Sequence, residues 1–100
     1  MLANEEMNTY IIAFKVIGDN VKINRKWKDA INEYPAWAQL NENTYLFVSS
    51  DEIETVTKHF GGDILKESSC FISKITDDTA WGGFPEEVAL WIKEKTKKNS

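Results

Sequence analysis

One hundred residues, 42% of them hydrophobic and 12% aromatic, make a single domain with one core, since chains divide only at a few hundred residues. The net charge of −4 gives no global basic field to gather nucleic acid, although a local patch can oppose the net sign. One cysteine and one histidine exclude an internal disulfide, a closed zinc site and histidine-pair metal chemistry.

The chain is expected to run as a flexible segment over 1–8, one domain over 9–95 and a flexible lysine-rich tail over 96–100. Within Thr9 to Ile17, the stretch Tyr10–Val16 carries only one charge, Lys15. It reads as a strand buried on both faces at the centre of a small sheet. Gly18-Asp19-Asn20 breaks the pattern as a turn. Trp27, Ala30, Ile31 and Tyr34 then recur at helical spacing, with Asn24 as the expected N-cap and Pro35 as the stop. Ala36–Leu40 and Thr44–Ser49 flank the turn residues Asn41-Glu42-Asn43 and predict a hairpin.

Asp51 followed by Glu54 has the form of a capping box. It opens a second helix with Ile53, Val56 and Phe60 inward, ended by a left-handed cap at Gly61-Gly62. Residues 63–69 fit no single pattern. Cys70–Ile75 reads as another strand, and Cys70 within it as a buried, inert thiol. After a loop carrying Asp77, Asp78 and Trp81-Gly82-Gly83, Pro85 is expected at the first position of a final helix. Glu86 and Glu87 support that start, and Val88, Trp91, Ile92 and Lys95 form its inner stripe.

The order β-α-β-β-α-β plus a C-terminal helix predicts an α+β, ferredoxin-like sandwich: a four-stranded antiparallel sheet with two helices on one face. Strands one and three should be central, because they are the continuous apolar runs. No start resembles a signal peptide and no apolar run is long enough for a bilayer, so a cytoplasmic location without a membrane partner is expected.

No cofactor motif is present, neither a phosphate-binding glycine loop nor a dinucleotide fingerprint. His59 fits the carbonyl end of the second helix, where partial negative charge favours it. The helix dipole accounts equally for Asp51, Glu52 and Glu54, and for Glu86 and Glu87. Four of the seven residues from Lys22 to Lys28 are basic: Lys22, Arg25, Lys26 and Lys28. They read either as a solvated helix face or as phosphate contacts. Trp37, Trp81 and Phe84 lie near element ends and are candidate interface anchors.

Several segments together resemble the small subunit of the CRISPR adaptation complex, the Cas-two family, and its shorter SinR-like relatives. These are Tyr10-Ile-Ile-Ala-Phe14, the Trp37…Leu40…Thr44–Val48 hairpin and Asp51-Glu52-Ile53. The most specific is the ending Lys74-Ile75…Ala80-Trp81-Gly82-Gly83-Phe84-Pro85-Glu86-Glu87…Trp91-Ile92. The same resemblance extends in fold to VapD-type toxin ribonucleases. It implies a homodimer that brings two first strands together, with a metal-binding acid at each strand end in the nucleases. Here Lys15 follows Phe14 at that place, and a lysine cannot ligate Mg²⁺.

The expectation is therefore a non-catalytic, dimeric binding module without cofactor or metal, tied to DNA, RNA or a defence-system protein. Lys15, Lys22, Arg25, Lys26 and Lys28 would carry phosphate contacts. Two alternatives compete with it. One is a protein-binding inhibitor or regulator of a host defence system. The other is a metal-dependent nuclease with ligands relocated to Asp19 and Asp77/Asp78.

Overall fold

The computed structural model describes residues 7–18, 20–76 and 78–96. In chain order these form β1 (Asn8–Val16), α1 (Val21–Asn32), β2 (Ala36–Asn41), β3 (Thr44–Ser49), α2 (Ile53–His59), α3 (Asp63–Lys66), β4 (Ser68–Ile75) and α4 (Glu86–Thr96). The strands make one antiparallel sheet in the order β2-β3-β1-β4. The two most apolar strands, β1 and β3, hold its centre. The helical connections from β1 to β2 and from β3 to β4 each step over one strand.

Side-chain alternation divides the sheet into two unlike faces. Tyr10, Ile12 and Phe14 of β1 face the same way as their register partners Phe47 and Tyr45 of β3 and Ile72 and Cys70 of β4. Against them lie Ile23, Trp27, Ala30 and Ile31 of α1 with Val56 and Phe60, and this is the main core. Its centre is a set of stacked rings, with Phe14 to Trp27 at 4.8 Å and Trp27 to Phe60 at 5.6 Å. The one polar atom of Trp27, its Nε1–H, donates to Ser68 Oγ at 3.0 Å, and Ser68 Oγ donates in turn to the Ile64 carbonyl.

The opposite face carries Thr9, Leu46 and Val48, all buried, although none belongs to the main core cluster. They are covered by α4, whose Ile92 is buried and whose Lys95 carbonyl accepts a 2.7 Å bond from Thr9 Oγ1. Val88, Trp91 and Lys95 are half-buried on the same stripe, as their spacing predicts. The cover is partial. Along β1 the same face passes from buried Thr9 through half-buried Ile11 and Ala13 to exposed Lys15, so the expected burial on both faces holds only for the first half of the strand.

Several local expectations are corrected. The N-cap of α1 is Asn20, not Asn24: Asn20 Oδ1 accepts from the Ile23 N–H at 3.1 Å. The apolar stripe extends one turn further back through Ile23, four residues before Trp27, and the helix follows it. The Asp51/Glu54 capping box does not form, since Glu52 holds the cap position without a side-chain bond. The backbone of Asp51 is held elsewhere. Its N–H donates to Ser49 Oγ, and its carbonyl accepts from the Tyr10 hydroxyl at 2.6 Å.

The left-handed cap at Gly61-Gly62 is also displaced. α2 closes at Phe60, which keeps negative φ while buried against Trp27, and Gly62 at φ 80°, ψ −139° then opens α3. That backbone geometry is accessible essentially to glycine alone. The unassigned stretch becomes α3 and the start of β4, which begins at Ser68 rather than Cys70. Cys70 is half-buried rather than buried, because β4 is an edge strand, and burial still pushes its thiol up. Pro85 sits one residue before α4 and accepts from the Ala89 N–H at 3.0 Å, taking the cap position instead of the first helical one. Of the expected flexible ends, Asn8 already pairs with Ser49 and Thr96 closes α4; residues 1–6 and 97–100 lie outside the described residues.

Candidate nucleic-acid interface

Helical geometry sorts the basic residues of α1. At roughly 100° per residue, Ile23, Trp27, Ala30 and Ile31 fall within an arc of about 100° that meets the sheet. Lys22, Arg25 and Lys26 fall within an equal arc of about 100° on the opposite side, and Lys28 lies about 60° beyond Arg25. All four are exposed, and none makes an ion pair among the described residues. Asp29 is the one carboxylate in that arc. Four cations against one acid make α1 a positive edge on a negatively charged chain.

Lys15 stands apart from that edge. It follows Phe14 on β1, so it points away from α1, and its register partner is Ser69 of β4. The five expected phosphate-contacting residues therefore divide between two surfaces, the outer edge of α1 and the open half of the other sheet face. Both lie toward the end of the molecule where β1 hands over to α1.

The expected interface aromatics are spread as well. Trp37 is 40% exposed on the edge strand β2, its ring 5.9 Å from that of Tyr45. Trp81, 39% exposed, and half-buried Phe84 lie in the connection between β4 and α4. Of the relocated metal ligands, Asp19 and Asp77 lie outside the described residues, and Asp78 is exposed with its N–H donating to Thr76 Oγ1. Among the described residues no group of three or more His, Cys, Asp or Glu is placed to hold a metal ion.

One feature has no signal in the sequence. A cleft of about 570 Å³ lies at the joint of α1 and α2, lined among others by Glu33, Tyr34, Asp51, Thr55, Lys58 and His59. His59 Nε2 donates to the Ala30 carbonyl at 3.2 Å and lies 3.8 Å from Glu33 Oε1. It therefore binds the carbonyl end of α1 while lying, as expected, in the last turn of its own helix. Burial, with Asp51 and Glu33 nearby, pushes the Tyr34 phenol up to about 12, so it stays a neutral donor. Tyr34 was legible only as a member of the helical stripe, because nothing in the sequence places it beside Asp51.

No helix among the described residues is long and apolar enough to cross a membrane. No protein-family model matches this chain, and no curated protein matches it.

Proposed function

We propose that this chain is a non-catalytic, ferredoxin-like binding module, akin to the Cas-two and SinR-like small proteins, that contacts nucleic-acid phosphates through the outer edge of α1. The strand order β2-β3-β1-β4 and two helical crossovers on one face support the ferredoxin-like reading. The observation that carries the function is the arc of Lys22, Arg25 and Lys26, exposed and free of ion pairs among the described residues. Lys15 at the strand end supports a module without metal-dependent cleavage. Within this reading the chain works as a homodimer in a prokaryotic or phage defence setting.

The test is a titration of labelled single- and double-stranded DNA and RNA at low and then physiological salt. Three phosphate contacts give duplex binding that weakens about 40-fold between 50 and 200 mM salt. Reversing Lys22, Arg25 and Lys26 to Glu abolishes that salt-dependent binding. An affinity indifferent to the reversal, or no binding at low salt, refutes the proposal. A second reading, a protein-binding regulator, draws on the half-exposed Trp37 and Trp81; it predicts a partner whose capture is lost on Trp81→Ala and unaffected by the charge reversal.

A further inference from the structure

The two edges of the sheet are unequally guarded. β2 is six residues long, follows Pro35 and carries a bulge between Gln39 and Asn41. Shortness, proline and bulges are devices that keep an edge strand from pairing with another chain. β4 has none of the three. Its eight residues, Ser68–Ile75, run in unbroken register against β1, and Lys74 near the end is their one charge. Among the described residues, no backbone hydrogen bond reaches β4 from the side away from β1.

The side chains along that edge are apolar on both faces. Phe71, paired with Ala13, points away from the main core and is 69% exposed. Ala13 and its neighbour on the same face, Ile11, are half-buried. Toward the core, Cys70 and Ile72 pack on the main cluster yet stay half-buried, since no strand lies beyond them.

Symmetry selects the occupant. Two copies of β4 related by a two-fold axis normal to the sheet pair antiparallel and keep like faces together. A residue then meets only residues that point to its own face. The two registers of greatest overlap are centred on Phe71 and on Ile72. Centring on Ile72 sets Lys74 against Cys70 and Phe71 against Ser73. Centring on Phe71 matches like with like: Phe71 meets Phe71, Ser69 meets Ser73 and Cys70 meets Ile72. Lys74 then meets Ser68, beside the exposed carboxylate of Glu67, and no like charges stand opposite each other.

We infer that β4 is the seam of a homodimer, pairing antiparallel with β4 of a second copy about Phe71. The result is one continuous sheet, β2-β3-β1-β4-β4-β1-β3-β2. The inference rests on the homodimer of the reading above and gives it a surface. Across the seam one face carries the row Ala13-Phe71-Phe71-Ala13, and the core face carries Phe14-Cys70-Ile72-Ile12. The two first strands share the sheet with the paired β4 strands between them, and the outer arc of α1 stays in solvent. One phenylalanine ring offers about 150–250 Å², against about 800 Å² from each partner in a standard interface. Ile11, Ala13, Cys70 and Ile72 add to the ring, and about six to eight backbone hydrogen bonds carry the rest. A seam of this kind makes a reversible dimer.

The experiment follows the full chain by sedimentation across a dilution series, with amide exchange of β4 measured at each end of it. Expected is a dimer that dissociates on dilution, with β4 amides slowed only in the dimer. Phe71→Glu sets two like charges opposite each other and should leave a monomer. Phe71 is exposed, so the fold survives, and circular dichroism checks this. Residues directly opposite have Cβ atoms about 4.5–5.5 Å apart. Phe71→Cys in a Cys70→Ser chain should therefore cross-link to its copy under mild oxidation. Ser73→Cys in the same chain should not, because it lies about 13 Å along the strand from its own copy. A dimer that survives Phe71→Glu, cross-links equally through Ser73→Cys or leaves β4 amides unprotected overturns the seam and places the contact elsewhere. A monomer at every concentration overturns both the seam and the homodimer. The α1 edge is judged separately, by salt-dependent phosphate binding of the Phe71→Glu monomer and its loss with Lys22/Arg25/Lys26→Glu.

Discussion

On one face of the sheet, Tyr10, Ile12, Phe14, Tyr45 and Phe47 meet α1 and α2 in a continuous core of stacked rings. On the other, α4 seals Thr9, Leu46 and Val48, while Lys15 and Phe71 remain in solvent. The same central strand supplies both faces, one residue in two to each. The difference teaches how unevenly one sheet divides its burial between its two faces. Burial on the ring-lined face is nearly complete along the two central strands and holds both crossovers. The face under α4 needs only enough burial to seat one helix, which leaves the β4 side free to present side chains.

The largest expected effect lies on the ring-lined face. Trp27→Ala removes two stacking contacts and the N–H that donates to Ser68 Oγ, leaving a cavity that costs about 3–5 kcal/mol. For a domain with total stability of about 5–15 kcal/mol that is a large fraction. Urea unfolding should show the midpoint falling steeply, and a loss below about 1 kcal/mol would remove this face from its place as the main source of stability.

Ile92→Ala makes the matching change under α4 and should cost about 2 kcal/mol, at the low end of such truncations, because α4 packs on one side only. Amide exchange separates the two layers further. α4 should open at lower free energy than β1 and β3, as a helix seated on part of one face. Exchange of α4 at the global unfolding energy would make the two faces one cooperative unit and erase the contrast.

How much of this was legible follows the same division. The ring-lined face was readable because its determinants are periodic: Trp27, Ala30 and Ile31 on the helix, Val56 and Phe60 on the next, and unbroken apolar strands at the centre. Caps and turns were less readable, because they depend on partners distant in sequence. Asp51 has the side chain of a cap, yet the Tyr10 hydroxyl, forty-one positions away, takes its carbonyl. The second face was least readable. The stripe of α4 identified a buried side, but not which strands it would cover. Phe71 was simply one apolar residue in an apolar run until the register turned it outward. Of the basic residues, the α1 edge was recognisable as a group, whereas the separation of Lys15 from it follows from strand alternation combined with the crossover.

The smallest effect tests the same asymmetry through protons. All three tyrosines of the chain lie on the ring-lined side: Tyr10 and Tyr45 by register, and Tyr34 with its ring 4.3 Å from that of Phe47. Burial raises each phenol from its ordinary value near 10, and Tyr34 to about 12. Between those values the unfolded chain loses phenolic protons that the folded chain keeps, so the unfolded state binds fewer protons and stability falls as pH rises. The contribution is fully present below pH 10 and lost toward pH 12. Tyr34→Phe keeps the ring against Phe47 and removes the ionisable group, so urea midpoints measured across this window should fall less steeply than in the wild type. Tyr10 and Tyr45 retain the remaining slope. A wild-type slope undiminished by Tyr34→Phe would mean that the hydroxyl at the α1–α2 joint is solvated as freely as in the unfolded chain, and that the ring-lined face is less tightly closed at its edge than at its centre.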